Sequence, residues 1–332
     1  MSAIQNICVA ADEADQRIDR WLRVHFPQVS LSQLQKWLRT GQVRVDGHRV
    51  KPGVRLGSGQ EIRVPPAALD VKTAPKRTAI VRRSVTSEEA DALRARVLYR
   101  DDLVIAIDKP AGLAVQGGSR TYRHLDGMLD ALTFDARERP RLVHRLDKDT
   151  SGVLLLARDA RTAAELTSAF RSKTARKVYW AIVVGYPNPL QGRISAPLIK
   201  VPGERGERVE ADGEVGREAV TFYRTIDRAS RRASWLSLEP RTGRTHQLRV
   251  HCSQILGRPI LGDGKYGGAM AFLSSEGLGR GLHLHARGIR VPHRKKGLLE
   301  VFAPLPPHMA RTMTFLGLDP KHADCNFSPD LD

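Results

Sequence analysis

The sequence predicts an α+β protein in two parts. A small unit of two helices and a hairpin comes first. A larger domain follows, built on a mixed, mainly antiparallel β-sheet with flanking helices. Three observations lead there. Two apolar stripes at helical spacing and a strand–turn–strand pattern occupy residues 15–66. A proline-broken, cation-rich stretch comes next. From Val97 onward, short β-rich runs recur with few helical patterns between them. The length of 332 residues agrees with two domains at ~150 residues each.

In the first unit, Asp15 reads as the N-cap of a helix whose inward stripe is Ile18, Trp21, Leu22 and Phe26. Ser30 opens a second helix, with Gln33 in capping-box position. Its stripe is Leu31, Leu34, Trp37 and Leu38, and Gly41 ends it. Residues 43–50 form a hairpin turning at Asp46-Gly47. Ile62 and Val64 close a last strand before Pro65-Pro66. Residues 67–96 read as a linker, in which Pro75 and several cations break periodicity and only 87–96 allows a short helix.

The larger domain spans 97–308. Strands are expected at 97–99 and 103–107, with a turn at Lys109-Pro110-Ala111-Gly112. Short apolar strands at 142–143 and 153–156 flank a polar loop. A helix follows Asp159, with Ala163, Leu166, Thr167 and Phe170 on one face. Further strands are expected at 178–184, 219–223, 234–238 and within 289–301, and a helix at 245–256. Residues 309–332 carry little pattern and are expected to form a loosely ordered tail.

Lys and Arg number 54 against 36 Asp and Glu, a net charge of +18. The cations are spread along the chain, so the excess belongs to folded surfaces rather than to a basic tail. Such a surface attracts polyanions, nucleic acid above all. The low aromatic fraction, 5%, argues against a stacking platform for single strands and for recognition of folded RNA by shape and charge. Cys8, Cys252 and Cys325 form no CxxC pair, which argues against a disulfide framework or a zinc site. A reducing cytoplasm is the expected compartment. No apolar run approaches ~18 residues, and residues 1–19 lack a signal-peptide core.

Four segments carry chemistry. The first is His144-Arg145-Leu146-Asp147-Lys148-Asp149-Thr150-Ser151-Gly152, a polar loop presented at a sheet edge between two apolar strands. The second runs from Arg241 through Thr242-Gly243-Arg244-Thr245-His246-Gln247-Leu248-Arg249 to His251. The third is Lys177-Val178-Tyr179-Trp180, and the fourth runs from Ile107 through Asp108-Lys109-Pro110 to Gln116-Gly117-Gly118-Ser119. Gly262-Asp263-Gly264-Lys265-Tyr266-Gly267 matches GxGxxG but lacks the strand-to-helix setting that dinucleotide binding needs. There is no HExxH and no GxSxG.

These segments resemble the motifs of the RluA-type pseudouridine synthase family. The helix–helix–hairpin unit, with Arg20, Arg23, Lys36, Arg39, Arg44, Arg49 and Lys51 on its surface, resembles an S4 RNA-binding domain. Gly117-Gly118-Ser119, Ala196-Pro197-Leu198-Ile199-Lys200 and Gly206-Glu207-Arg208-Val209 favour the large-subunit synthase C subgroup, with synthase D the nearest rival. The resemblance implies isomerisation of specific uridines in 23S ribosomal RNA or its large-subunit precursor. Asp147 would be catalytic, as nucleophile or as base. Arg249 would pair with it, which would keep the carboxylate ionised. Tyr179 would contact the flipped uracil and accept or pass its C5 proton. Arg145, His144 and Leu248 would hold the base, and Lys36, Arg39 and Arg44 would bind RNA. Where family members often have His, Gln116 stands, so a base contact there is not carried over. Nothing is added or lost, so no cofactor or metal is expected, no membrane partner, and a monomer. Two other classes compete. A glycosidase-like hydrolase would use Asp147 with Asp149 and release free base. A non-catalytic, ribosome-associated RNA-binding protein would have no use for an intact His144–Asp147 loop.

Overall fold

The computed structural model describes residues 5–66, 85–117, 123–203, 208–321 and 327. Pro75, Gly118, Ser119, Gly206, Glu207 and Cys325 lie outside these, as does most of the expected linker. The chain divides into two compact units, residues 1–82 and 83–332.

The first unit contains β1 (Gln5–Cys8), α1 (Ile18–His25), α2 (Leu31–Thr40), β2 (Arg44–Val45), β3 (His48–Arg49) and β4 (Glu61–Val64). Its antiparallel sheet runs β1-β4-β2-β3. Trp21, Leu22, Leu34, Trp37 and Ile62 fill the core from helices and sheet together. The Ser30 hydroxyl accepts from the Gln33 amide, and Gly41 ends α2 in the left-handed conformation. Asp46 and Gly47 both have positive φ, as the tight hairpin requires. Asp15 is not the N-cap of α1. Arg17 takes that place, and the Asp15 carboxylate instead accepts from Arg55 at 2.9 Å. The Asp15 amide donates to Leu56 O, and its φ is +64°.

The second unit begins with α3 (Ser87–Arg94), closed by a Thr86–Glu89 capping box. Leu93 is buried in this unit's core, so residues 87–94 belong to the domain rather than to a linker. Then follow β5 (Val97–Arg100), β6 (Val104–Lys109), β7 (Arg141–Leu142), β8 (Ser151–Ala157), α4 (Ala160–Arg171), β9 (Arg176–Val184) and β10 (Gln191–Ser195). β11 (Leu198–Val201), β12 (Arg208–Ala211), β13 (Val220–Ala229), β14 (Ala233–Pro240), α5 (Gln247–Val250), β15 (Leu284–His293), β16 (Gly297–Phe302) and α6 (Pro307–Leu316) complete it. The main sheet runs β10-β13-β14-β9-β15-β8-β6-β5, with β16 on β15 and β7 on β8. Its one parallel pair is β15–β8. The sheet is therefore mixed and mainly antiparallel, as expected.

Alternate residues of the buried strands serve opposite faces. Leu154, Leu156 and Tyr179 join Leu125 and Leu129 of a 3-10 helix, whereas Val153 and Leu155 meet Leu166 of α4. Trp180 and Trp235 pack with Met309 and Met313 of α6. The expectation of a loose tail from residue 309 fails over this helix, because its two methionines are fully buried. The helix expected at 245–256 starts only at Gln247, after a left-handed His246, and winds wide as a π-helical turn from His251. Among the described residues no helix is long and apolar enough to cross a membrane.

Gly152 fixes the start of β8 beside β15. Its φ is +111°, and a Cβ there would collide with the Ala286 carbonyl oxygen. Next to it the Ser151 hydroxyl meets His285 Nδ1 at 2.9 Å. His283 Nε2 bonds Thr312 of α6 at 2.8 Å. Burial pushes both imidazoles down to about 4, while an unfolded histidine binds its proton near 6.5. Between these values the unfolded chain holds more protons, so their contribution to stability is lost as pH falls from about 6.5 to about 4. At about 1.4 kcal/mol per pKa unit the two together are worth several kcal/mol. Urea midpoints at pH 7 and pH 4.5 should differ clearly, and His285→Gln should flatten the slope. Equal midpoints would contradict this reading.

Candidate active site

The loop 143–150 leaves β7 and enters β8. Two side chains hold it, one half-buried and one fully buried. His144 Nε2 accepts from the Leu155 amide at 2.8 Å, and its ring packs on Phe170. Burial and the nearby Lys177 charge push its pKa down to about 3, so it stays neutral. His144, expected to touch the base, thus anchors the loop; its acceptor nitrogen is already used by β8. The second is Lys109 at the end of β6, which is fully buried. Its Nζ donates to Pro110 O and Leu113 O at 2.9 Å and to Lys148 O at 3.1 Å. An ammonium has three donors, and all three are used. Burial still pulls the amine down to about 8, against the carboxylates of Asp149, Asp147 and Asp108. The Gly112 amide also donates to Lys148 O. The turn at residues 109–112 is therefore the bed on which the Asp147 loop lies.

Asp147 opens into a small cleft of about 90 Å³ that Arg145, Tyr179, Leu248 and Arg249 also line. Tyr179 comes from β9 between β14 and β15, paired with Leu238 and Ala286. Burial, and then the Asp147 charge, push its phenol well above the ordinary tyrosine range. It is a neutral hydroxyl at physiological pH, able to hydrogen-bond but not to serve as a resident base. Arg145 is exposed at the mouth.

Arg249 does not pair directly with Asp147. Its Nε and Nη2 donate to the two carboxylate oxygens of Asp263 at 2.8 and 2.7 Å. Both partners are buried, and the parallel two-bond geometry consumes the guanidinium fork. Burial alone would lower the Arg249 pKa, but Asp263 overrides it and holds the guanidinium firmly charged. Asp147 feels that charge across the cleft rather than through a bond. Gly262, just before Asp263, has φ +82° and lies so close to Gly281 O that no Cβ fits. The GxGxxG match is thus the support of an ion pair.

Gln247 shapes the opposite wall. Its Oε1 accepts from Thr242 Oγ1 and the Arg244 amide, and its Nε2 donates to Val220 O and Thr221 Oγ1. His251 joins the same network through Thr221. Sequence reasoning missed Lys109, Gln247 and Asp263 as site residues. Lys109 and Gln247 stood inside noted motifs, whereas Asp263 stood inside one set aside.

In the first unit, Lys36 and Arg39 line a groove with Arg49 and Lys51. Arg44 does not join them. Its guanidinium folds back onto Gly41 O and Gly47 O and braces its own hairpin. Among the described residues no three His, Cys, Asp or Glu side chains gather to hold a metal.

A family model described as RNA pseudouridylate synthase matches residues 103–254, and one described as S4 domain matches 16–62. The ribosomal large subunit pseudouridine synthase C of Salmonella typhi is 36% identical over 95% of this chain and 97% of its own. The chain belongs to the RNA pseudouridylate synthase family. The synthase C of Pasteurella multocida is 37% identical over 94% of this chain and 93% of its own. The solved structure of human RNA pseudouridylate synthase domain containing 4 aligns with a TM-score of 0.60 at 30% identity, over 69% of this chain and 96% of that one.

In this synthase the Arg249–Asp263 pair makes a separable prediction. Asp263→Asn leaves a buried cation uncompensated and should destabilise by about 3–5 kcal/mol. Replacing both, Arg249→Met with Asp263→Leu, should recover most of that stability without recovering activity. Urea unfolding of the three proteins checks it; a double variant no more stable than the single would refute it.

Proposed function

We propose that this protein converts particular uridines of 23S ribosomal RNA, or of its large-subunit precursor, to pseudouridine. Asp147 is the catalytic residue. The observation that carries this is the setting of that carboxylate: a cleft built for one small ring, walled by a neutral phenol and rimmed by cations. The synthase C names of relatives matched over nearly the whole chain support the substrate.

The uracil N1–C1′ bond breaks, the base turns, and C5 bonds C1′. The C5 proton leaves as a proton reaches N1, so atoms balance and no cofactor is consumed. To reach Asp147 the uridine leaves its stack, at a cost of about a few kcal/mol. Exposed Arg145 stands where that nucleotide would depart and can fill its place. Leu248 gives the ring an apolar wall, and Tyr179 donates a hydrogen bond at its edge. The Asp147 carboxylate then acts at the sugar, by attack on C1′ or by removal of a ribose proton. In the first unit, Lys36 and Arg39, with Arg49 and Lys51, supply phosphate contacts. In this reading the protein works as a monomer, in the cytoplasm where its substrate is made.

Tritium release from [5-³H]uridine-labelled ribosomal RNA tests this. The wild type should release tritium and no free uracil, and Asp147→Asn should lose about 10²–10⁴-fold in rate with unchanged thermal unfolding. Free uracil would indicate a hydrolase. Full release by the variant would remove Asp147 from catalysis.

A further inference from the structure

Lys177 has no assigned task. It lies two residues before Tyr179 on β9, so both side chains leave the same face of the sheet. Both line the catalytic cleft. Lys177 also lines a second cavity of about 500 Å³ beside the cleft, together with Arg145, Arg171, Lys173, Arg241 and Arg244. No described Asp or Glu lines that cavity. The ammonium thus sits where the two spaces meet. The Phe170 ring centre is 6.0 Å from Nζ, and Gly243, which has no side chain, lies just above it.

Nothing in the described chain neutralises this cation. It makes no ion pair or hydrogen bond to a described residue, unlike Lys109, which has three carbonyl acceptors. His144, whose pKa the Lys177 charge helps to lower, is neutral. Burial pulls the Lys177 amine down to about 8. Lys177 is half-buried, and an unpaired ammonium partly withdrawn from water is costly. A fold that keeps one beside its catalytic cleft is prepared for an anion that arrives with the substrate.

We propose that this cavity is the berth of a backbone phosphodiester next to the target uridine, with Lys177 as its innermost contact. The proposal rests on the synthase reading for its ligand. Arg145, Arg171, Lys173, Arg241 and Arg244 supply the outer charge, and Lys177 acts as a positioning residue. Its contact fixes the register of the strand, so that the neighbouring uridine swings toward Asp147. A carboxylate would satisfy the charge equally, but RNA brings a phosphate at every step and the cavity opens directly onto the cleft.

The test compares wild type, Lys177→Met and Lys177→Arg. Without phosphate, Lys177→Met should unfold at a higher temperature than wild type, because it removes a half-buried unpaired charge. Inorganic phosphate should raise the unfolding temperature of wild type and Lys177→Arg more than that of Lys177→Met. On a ribosomal RNA fragment that the wild type modifies, Lys177→Met should raise KM about tenfold and lower the salt slope of binding by about one. Its kcat should change little, and Lys177→Arg should restore most of the affinity. If Lys177→Met unfolds earlier and phosphate stabilises all three equally, Lys177 is a structural lysine and the proposal falls. If kcat falls while KM and the salt slope hold, Lys177 touches the base and the proposal also falls. Absence of pseudouridine in the wild type would remove the synthase reading, while the phosphate experiment would still decide the anion site.

Discussion

Lys109 bonds three carbonyl oxygens, and the catalytic geometry depends on that one interaction. Two of the acceptors belong to its own turn, and the third is Lys148, beside Asp147. Val143 and Leu146 pin the first half of the loop into the core, but residues 147–150 have no apolar surface with which to hold themselves in place. The buried ammonium substitutes for it, tying the end of β6 to the start of β8. His144 and Gly152 do the same from the other side, one by accepting from Leu155, the other by letting β15 approach. The carboxylate is thereby fixed by its neighbours, and its own side chain remains free for chemistry.

The charges around the cleft divide by what they are paired with. Arg249 is balanced by Asp263, and Lys109 is satisfied by carbonyls. Both are settled before any substrate arrives. Lys177 and the exposed Arg145 and Arg244 are disposed toward the open cavities. A protein with a net charge of +18 could scatter that excess. Part of it lines the rims of the cleft and the groove of the first unit, where phosphate contacts add affinity without reading sequence.

The motifs were legible because each is local: the His144–Gly152 loop, the Tyr179 strand and the Gln247–Arg249 helix all occupy the cleft or its wall. Caps were legible for the same reason at Ser30 and Gly41, whose hydroxyl and φ serve the adjacent turn. Partners distant in sequence were not. Whether Arg249 meets Asp147 or Asp263 is decided by how residues 262–266 fold, which no local pattern encodes. The four residues of β1 carry no alternation, and only β4 makes them a strand. α6 looked patternless because its two buried methionines and a single threonine make a thin stripe, made stable by Trp180 and Trp235 beneath it.

A scaffold settled before substrate binds, rather than the carboxylate's own contacts, sets the position of Asp147. The most direct test is Lys109→Met, which takes the ammonium donor from Pro110 O and Leu113 O, at about 1–3 kcal/mol each, and leaves Lys148 O only the Gly112 amide. Native-state hydrogen exchange of the residue 147–150 amides and kcat for pseudouridine formation are measured together. Exchange should quicken in that loop and kcat should fall at least about tenfold, a loss of about 1.4 kcal/mol in the barrier. Unchanged exchange with unchanged kcat would show that the loop holds Asp147 without Lys109, and would contradict the account.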